Sequence, residues 1–449
     1  MVEVDIYNLA NFIVKEGLKL GVDEIATLVN KTVKRQVRFS NNQTTVTKTW
    51  DDIAIKVYMA KDRRIAMCEV TNIEKNSLKE NLNKLLHVIK TTKEVEGYEK
   101  LPEGPFTYKS LSDTYDPKID RLGEEIVDFA EEAINSALNA GGKRVAGTLY
   151  SEYNETVLVT SRNVEAKDKG TRIEITVRSF ADEEGVAQGM GLSVSRTLGK
   201  FNPSKAGEKA GETSKMSLNP ATGKPGTYNV IFGPYSFANL LDFASMAFSA
   251  FYVESGLSPL ADKLNQQVAP EEVTIVDDPH LPNGYNSRPF DDEGVPTRRN
   301  ELIKNGVVKT FLHNVKTAKK FKTKTTGNAG WIVPHAWNIM FEPGNRTFNE
   351  LLEDVKNGIL IENTWYTRFQ NYRTGDFSTI PRDGIFLIEN GEIKSAIRGI
   401  RVSDNILKLF NNISGFTKEV EQVHWWEIET PVITPYVAVK DVKITTATK

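Results

Sequence analysis

Hydrophobic positions recur at helical spacing over residues 7–20, where Leu9, Phe12, Ile13, Leu18 and Leu20 fall together before Gly21. Strand-like segments follow at 26–33, 36–39 and 44–48, and then Ile53, Ile55 and Val57 alternate strictly with polar neighbours. Lys61-Asp62 turns the chain into a further strand over 64–70. Ser77-Leu78-Lys79-Glu80 reads as a capping box opening a helix with Leu78, Leu82, Leu85 and Ile89 on one face. The same order then returns. A helix over 122–140 turns Ile126, Phe129, Ala133, Ile134, Ala137 and Leu138 inward and stops at Gly141-Gly142. Strands follow at 147–150 and 156–160, then Ile173, Ile175 and Val177 alternate, and the acidic turn Asp182-Glu183-Glu184-Gly185 leads into another strand. The pattern predicts an internal duplication of a helix–hairpin unit.

Residues 201–227 are rich in Gly, Pro, Lys and Ser, with a short helix predicted over 203–216 through Ala206 and Ala210. This segment is expected to separate an N-terminal domain, 1–200, from a C-terminal domain, 228–449. Beyond it come a strand over 226–232 and an apolar helix over 235–251, whose small residues suit a core or a subunit interface. A strand at 273–276 runs into Asp277-Asp278-Pro279, where proline ends it. Asn305-Gly306 and Asn390-Gly391 each predict a tight hairpin, because that dipeptide accepts the positive φ angles of a type I′ turn. Residues 331–341 read as a long aromatic strand, Thr347-x-x-Glu350 as a helix cap with Gly358 as the stop, and 423–427 and 432–444 as closing strands. The expected fold class is α+β: duplicated helix–hairpin units, then a larger mixed-sheet domain.

Composition narrows the function. The chain has 449 residues, enough for two or three cores, and 39% apolar with 26% charged residues describes a globular protein. Its formal charge of −2 offers no basic excess for nucleic acid. Cys68 is the sole cysteine, so no intramolecular disulfide or cysteine-rich zinc site exists. No apolar run is long enough for a membrane-spanning helix, and the acids near the N-terminus do not suit a signal peptide; a cytoplasmic location is expected.

Five short stretches carry a resemblance. The words DDP and S-R-P-F-D-D-E-G-V-P-T-R-R, then T-G-N-A-G closing at Gly330, resemble the TldD/TldE (PmbA) family, once called modulators of DNA gyrase. Thr374-Gly375-Asp376-Phe377-Ser378 and Ile388-Glu389-Asn390-Gly391-Glu392-Ile393 are similar to that family's T-G-D-F-S and I-E-N-G-E-I segments, in the same order. The resemblance is specific over 226–443. TldD-type members are zinc peptidases with H-E-x-x-x-H on a helix and a C-terminal cysteine completing the site. Here the corresponding helix reads Leu241-Asp242-Phe243-Ala244-Ser245-Met246. Neither histidine is present, Asp242 falls near the glutamate, and 411–422 contains no cysteine. The resemblance therefore implies the TldE (PmbA)-like branch, without catalytic or metal residues of its own, with zinc in a TldD-like partner subunit.

The residues admit little independent chemistry. The five histidines, His87, His280, His313, His335 and His424, include no pair three to five residues apart. Ser204 and Ser378 lack a nucleophile elbow, and no P-loop or dinucleotide fingerprint follows a strand. Asp291-Asp292-Glu293 reads first as a turn whose carboxylates cap backbone N–H groups. Candidate residues for a peptide or partner cavity are Asp291, Asp292, Asn328, Asp376 and Ser378, and Leu241, Asp242 and Met246 mark the vestigial metal-motif helix. The expected substrate is an extended peptide, with a homodimer possible when the chain is alone. Two other readings stay open: a self-sufficient homodimeric hydrolase with a non-standard metal site, and a non-enzymatic module binding peptides or a regulatory protein.

Overall fold

A computed structural model describes residues 4–446 of the chain. The first repeat runs α1 (Ile6–Lys19), β1 (Glu24–Ser40), β2 (Gln43–Lys61), β3 (Arg64–Val70) and α2 (Lys75–Thr91). The second runs α3 (Pro117–Asp120), α4 (Ile126–Asn139), β4 (Arg144–Thr160), β5 (Glu165–Phe180), β6 (Gln188–Ser195) and α5 (Pro203–Met216). The strands form one sheet in the order β3-β2-β1-β4-β5-β6, all neighbours antiparallel. β1 meets β4 at the centre, so the repeats are related by an approximate two-fold axis between them. The helix α5, expected within a linker, lies against α4, β5 and β6 as the counterpart of α2.

Register decides which face does what. Pairing of Leu28 with both Lys56 and Leu158 preserves residue parity from β2 through β1 to β4. Odd-numbered residues of these strands and of β5, among them Ile25, Val29, Ile55, Val57, Val157, Leu149, Ile173 and Ile175, enter the two cores beneath the helices. All four long helices therefore cover one face. The even face meets the rest of the chain instead: Leu28, Leu158 and Ala166 pack with Phe290.

Several sequence expectations change here. The strands at 26–33 and 36–39 are one 17-residue strand, and 44–48 belongs to a 19-residue strand. Neither charged pair breaks its strand: Asp51-Asp52 lie on the exposed length of β2 beyond its pairing with β3, and Lys34-Arg35 are half-buried in β1 between β2 and β4. Ser77 caps nothing, because α2 begins two residues earlier with Glu74 as N-cap. By contrast the Thr347–Glu350 capping box is formed, and both residues of Asn305-Gly306 and of Asn390-Gly391 have positive φ.

The C-terminal half contains two more sheets. Strands Gly358–Asn371, Gly226–Phe232, Val437–Thr446, Ile400–Asn405 and Asp376–Glu389 pair in that order, and the last pairs with the first, closing a ring. The other sheet joins Val307–Val308, Asn300–Lys304, Ile275–Asp277, Ile339–Phe341, Ile428–Thr434 and Glu421–Trp425. Between them sits α6 (Pro234–Ser245), nearly all buried. The apolar helix expected over 235–251 breaks: α6 gives way to a 3-10 turn, Met246–Phe248, and then α7 (Ala250–Glu254). The aromatic segment 331–341 is strand only at Ile339–Phe341; its remainder is an irregular loop built on the carboxylate contacts described below. The closing segment 432–444 spans two strands, Ile428–Thr434 and Val437–Thr446.

Close backbone approach unites the second repeat. A Cβ built on Gly191 would lie 1.9 Å from the Ala206 carbonyl oxygen, and one on Gly207 would lie 2.1 Å from that of Ala133. Neither contact can be relieved by a flexible side chain. Gly191→Ala and Gly207→Ala should each lower the unfolding free energy by about 1–3 kcal/mol, the range for overpacking, seen as an earlier midpoint in chemical unfolding.

Candidate functional site

Two cavities adjoin where the irregular loops cross the fold. The first, about 710 Å³, is bounded by the C-terminal end of α6, the segment 333–336, Arg368 and the hairpin at 426–430. Met246 and half-buried Asp242 line it, while Leu241 turns into the core at 1% exposure. Asp242 accepts backbone N–H groups from Thr430 (3.0 Å) and Glu429 (3.3 Å). Burial nevertheless pushes its carboxyl up to about 6. Ser249, just past the helix break, donates its hydroxyl to the Pro334 carbonyl at 2.6 Å and fixes the facing loop.

A bulge in the strand Gly358–Asn371 shapes the rim. The register slips between Trp365 and Arg368, and Tyr366 takes a left-handed φ of 56°. Such a bulge re-aims side chains, and here the Arg368 guanidinium lies 4.6 Å from the Tyr366 ring and lines the cavity. Trp425 is buried, whereas its neighbour Trp426 stands 68% exposed at the cavity edge. Ile332 and Tyr366 are also exposed large side chains beside cavity residues.

The second cavity, about 500 Å³, lies under the even face of the N-terminal sheet. Its far wall is built from the loops around residues 286–292 and 335–337. Asn286 and His335 line both cavities.

The loop residues expected at a cavity serve different ends. Asp291 is wholly buried and accepts N–H groups from Glu293 (3.0 Å), Val295 (2.9 Å) and Ala329 (3.0 Å). Burial raises its carboxyl to about 7. Glu293, also buried and shifted upward, accepts the Val315 N–H at 3.0 Å. Asn328 donates to Asp277 (2.6 Å) and to the His335 carbonyl (2.9 Å). Asp277 in turn accepts from the N–H groups of Trp337 and Asn338. These groups hold the loops in shape. Asp292 alone of the five lines a cavity, the second, with Arg288 at 3.4 Å. Asp376 accepts from Thr374 and Asn405, Ser378 accepts from Arg401 at 3.2 Å, and neither borders either cavity. Arg368, Glu427, Asn286 and Asp168 escaped the sequence reading, because a bulge and a register parity bring them to cavity walls and neither carries a motif.

The comparisons fit this geometry. Residues 225–446 match the PmbA/TldA metallopeptidase C-terminal domain, and residues 117–218 match the PmbA/TldA metallopeptidase central domain. The chain belongs to the PmbA/TldD family. A metalloprotease of Methanocaldococcus jannaschii is 29% identical over 336 residues, covering 70% of this chain and 72% of that protein. Metalloprotease PmbA of Escherichia coli O157:H7 is 27% identical over 304 residues, 66% of each chain. A solved modulator of a DNA gyrase from Thermotoga maritima superposes with TM-score 0.88 at 25% identity, over 98% of this chain and all of that one. TldE from Thermococcus kodakarensis shares the fold, with TM-score 0.87 at 23% identity, over 97% of this chain and 100% of that one.

The donor set at α6 does not fit a zinc ion. Asp242 supplies the single acid on the motif turn, with its oxygens already turned to Glu429 and Thr430. Among the described residues, no three His, Cys, Asp or Glu side chains gather closely enough to hold a metal.

Two outcomes test the loop architecture. Asp291→Asn keeps one acceptor but turns an NH2 group toward backbone donors, and should cost about 2–3 kcal/mol, read by chemical unfolding. His313, 3% exposed, is pushed down to about 4 by burial, so the unfolded chain binds its proton first. Stability from the neutral ring is then complete above about 6.5 and lost as pH falls toward 4. Relative to His313→Gln, the native chain should lose roughly 2–3 kcal/mol between pH 7 and pH 4.

Proposed function

We propose that this chain is the zinc-less, TldE/PmbA-like subunit of a cytoplasmic metalloprotease, paired with a TldD-like subunit that holds the zinc. Asp242 carries the reading. At the turn where a metal-binding member needs two histidines and a free glutamate, this chain has one aspartate tied to the 426–430 hairpin and apolar neighbours Leu241 and Met246. A carboxylate that accepts two backbone N–H groups anchors a loop and does not activate water.

What remains is a shaped wall. The cavity of about 710 Å³ has the size of a ligand site. Its rim bears Trp426, an exposed aromatic of the kind that becomes a buried anchor when a partner closes over it. The irregular loops beside it present backbone groups, which suit an extended peptide bound without demand for one sequence. In this reading the chain supplies orientation and water exclusion, and the partner supplies the chemistry.

Peptide hydrolysis and metal content, measured on the chain alone and mixed with a TldD-type chain, decide the matter. The lone chain should be inert and free of stoichiometric zinc, and the mixture should cut. Trp426→Ala should leave the unfolding midpoint within about 0.5 kcal/mol of native, as an exposed position, yet weaken association by tenfold or more. A lone chain that cuts peptides would overturn the assignment.

A further inference from the structure

The lysine-rich run from Lys316 to Lys324 has no part in the function proposed above. Its helical part is largely neutralised: Lys319 pairs with Glu99 at 3.6 Å and Lys320 with Glu254 at 2.5 Å. The helix Val315–Lys320 then ends, Lys322 takes a left-handed φ of 54°, and the chain runs along one wall of a cleft of about 800 Å³. The opposite wall is the segment 298–301 with Lys309 and Thr310. Buried Asn300 joins the two walls, donating its side-chain amide to the carbonyls of Arg298 (2.9 Å) and Thr326 (3.2 Å).

Charge here is one-sided. Among the described residues, exposed Lys309, Lys322 and Lys324 have no side-chain hydrogen bond or ion pair. The Arg298 guanidinium meets the Thr325 carbonyl, and the acid behind it, Asp291, is buried and already holds three backbone N–H groups. Glu301 is the one carboxylate lining the cleft, and Lys304 (2.8 Å) and Arg299 (3.7 Å) hold it. Three unpaired lysines therefore border one cleft of a chain whose formal charge is −2. Like charges gathered in this way repel, and an entering anion relieves the repulsion.

We propose that this cleft binds an acidic stretch of extended polypeptide, its carboxylates on Lys309, Lys322 and Lys324. The donor set favours carboxylates over a nucleic acid. Lysine ammonium groups are mobile point charges, without the planar fork by which arginine grips phosphate in two places. Phe321, the aromatic ring of this run, packs against the core, so it offers no face to stacked bases. The helix Val315–Lys320 turns its first N–H to Glu293 and leaves no helix-end cradle for phosphate. Position supplies a use. Thr326 at the cleft and Val333 at the first cavity are seven residues apart, so they lie at most about 25 Å from each other. An extended peptide of about eight residues spans that distance, so one peptide can occupy the first cavity and reach the cleft with an acidic flank. That use rests on the function proposed above; capture of an acidic chain does not.

Fluorescence anisotropy of labelled hexaglutamate, with the full-length chain alone at low salt, tests this. Hexaglutamate should bind saturably and hexaglutamine should not, and about 0.5 M salt should release the acidic peptide, because exposed charges are screened. Replacing the three lysines together, Lys309→Gln, Lys322→Gln and Lys324→Gln, should weaken hexaglutamate about tenfold or more. The unfolding midpoint should stay native, because none of the three has a protein partner. Lys15→Gln, Lys90→Gln and Lys93→Gln together change the net charge equally, on exposed positions of the first repeat, and should leave the affinity unchanged. Equal weakening by that control, equal binding of hexaglutamine, or tighter binding of an oligothymidylate of equal charge overturns the proposal. A mixture with a TldD-type chain that cuts peptides, when the lone chain ignores hexaglutamate, removes the cleft and keeps the subunit reading. Hexaglutamate binding with no hydrolysis in the mixture does the reverse.

Discussion

One asymmetry governs the molecule: the six-stranded sheet carries all its long helices on a single face. Odd-numbered side chains of β1, β2, β4 and β5 are sealed beneath α1, α2, α4 and α5, so the even face needs a cover from elsewhere. An antiparallel sheet can leave one face to water, but this one has Leu28, Leu158 and Ala166 on its even side and buries them against Phe290. The cover is irregular loop, and a loop cannot match a twisted sheet row for row. A gap remains, and that gap is the second cavity.

Loops used as a wall need their own framework. Between residues 277 and 338 the chain has few ladder hydrogen bonds, and buried carboxylates replace them. Asp277 and Asp291 each gather backbone N–H groups from segments distant in sequence, and Glu293 ties down the start of the helix Val315–Lys320. The cost is visible in carboxyl groups driven upward by burial. A network of this kind is rigid only when every member is satisfied; Asp291 and Glu293 serve it as scaffolding, while Asp292 lines the second cavity beside Arg288.

Legibility followed periodicity. Helix α1, the alternation in β2 and β5, the repeat of helix then strands, the Thr347–Glu350 cap and both Asn-Gly turns could all be read, because each is decided within a few residues. Strand length could not. Lys34-Arg35 and Asp51-Asp52 look like interruptions, yet Asp51-Asp52 stand on an exposed length of ribbon and half-buried Lys34 and Arg35 find Glu152 and the Asp120 carbonyl as partners. The segment 331–341 failed for the opposite reason: its aromatic residues suit a strand, but Asn328, Ser249 and Asp277 pull its backbone into loop contacts formed across 7 to 85 residues of separation. Of the candidate site, Asp242 and Met246 were named from the sequence and line the first cavity, whereas Leu241 turns into the core and Arg368 depends on a bulge that leaves no mark in the sequence.

Asp242 joins these threads. The helix break at Met246 opens the cavity, and the 426–430 hairpin closes its edge; Asp242 sits between them and holds the hairpin by its backbone. A carboxyl raised by burial is poorly suited to stay free, and two N–H donors are what keep it compatible with that position. With its oxygens so engaged, the hairpin is fixed with Trp425 in the core and Trp426 facing outward. The Asp242 carboxylate thus sets the orientation of an exposed tryptophan at the cavity mouth. One side chain's two hydrogen bonds couple the helix break, the hairpin and the exposed aromatic into a single rigid edge.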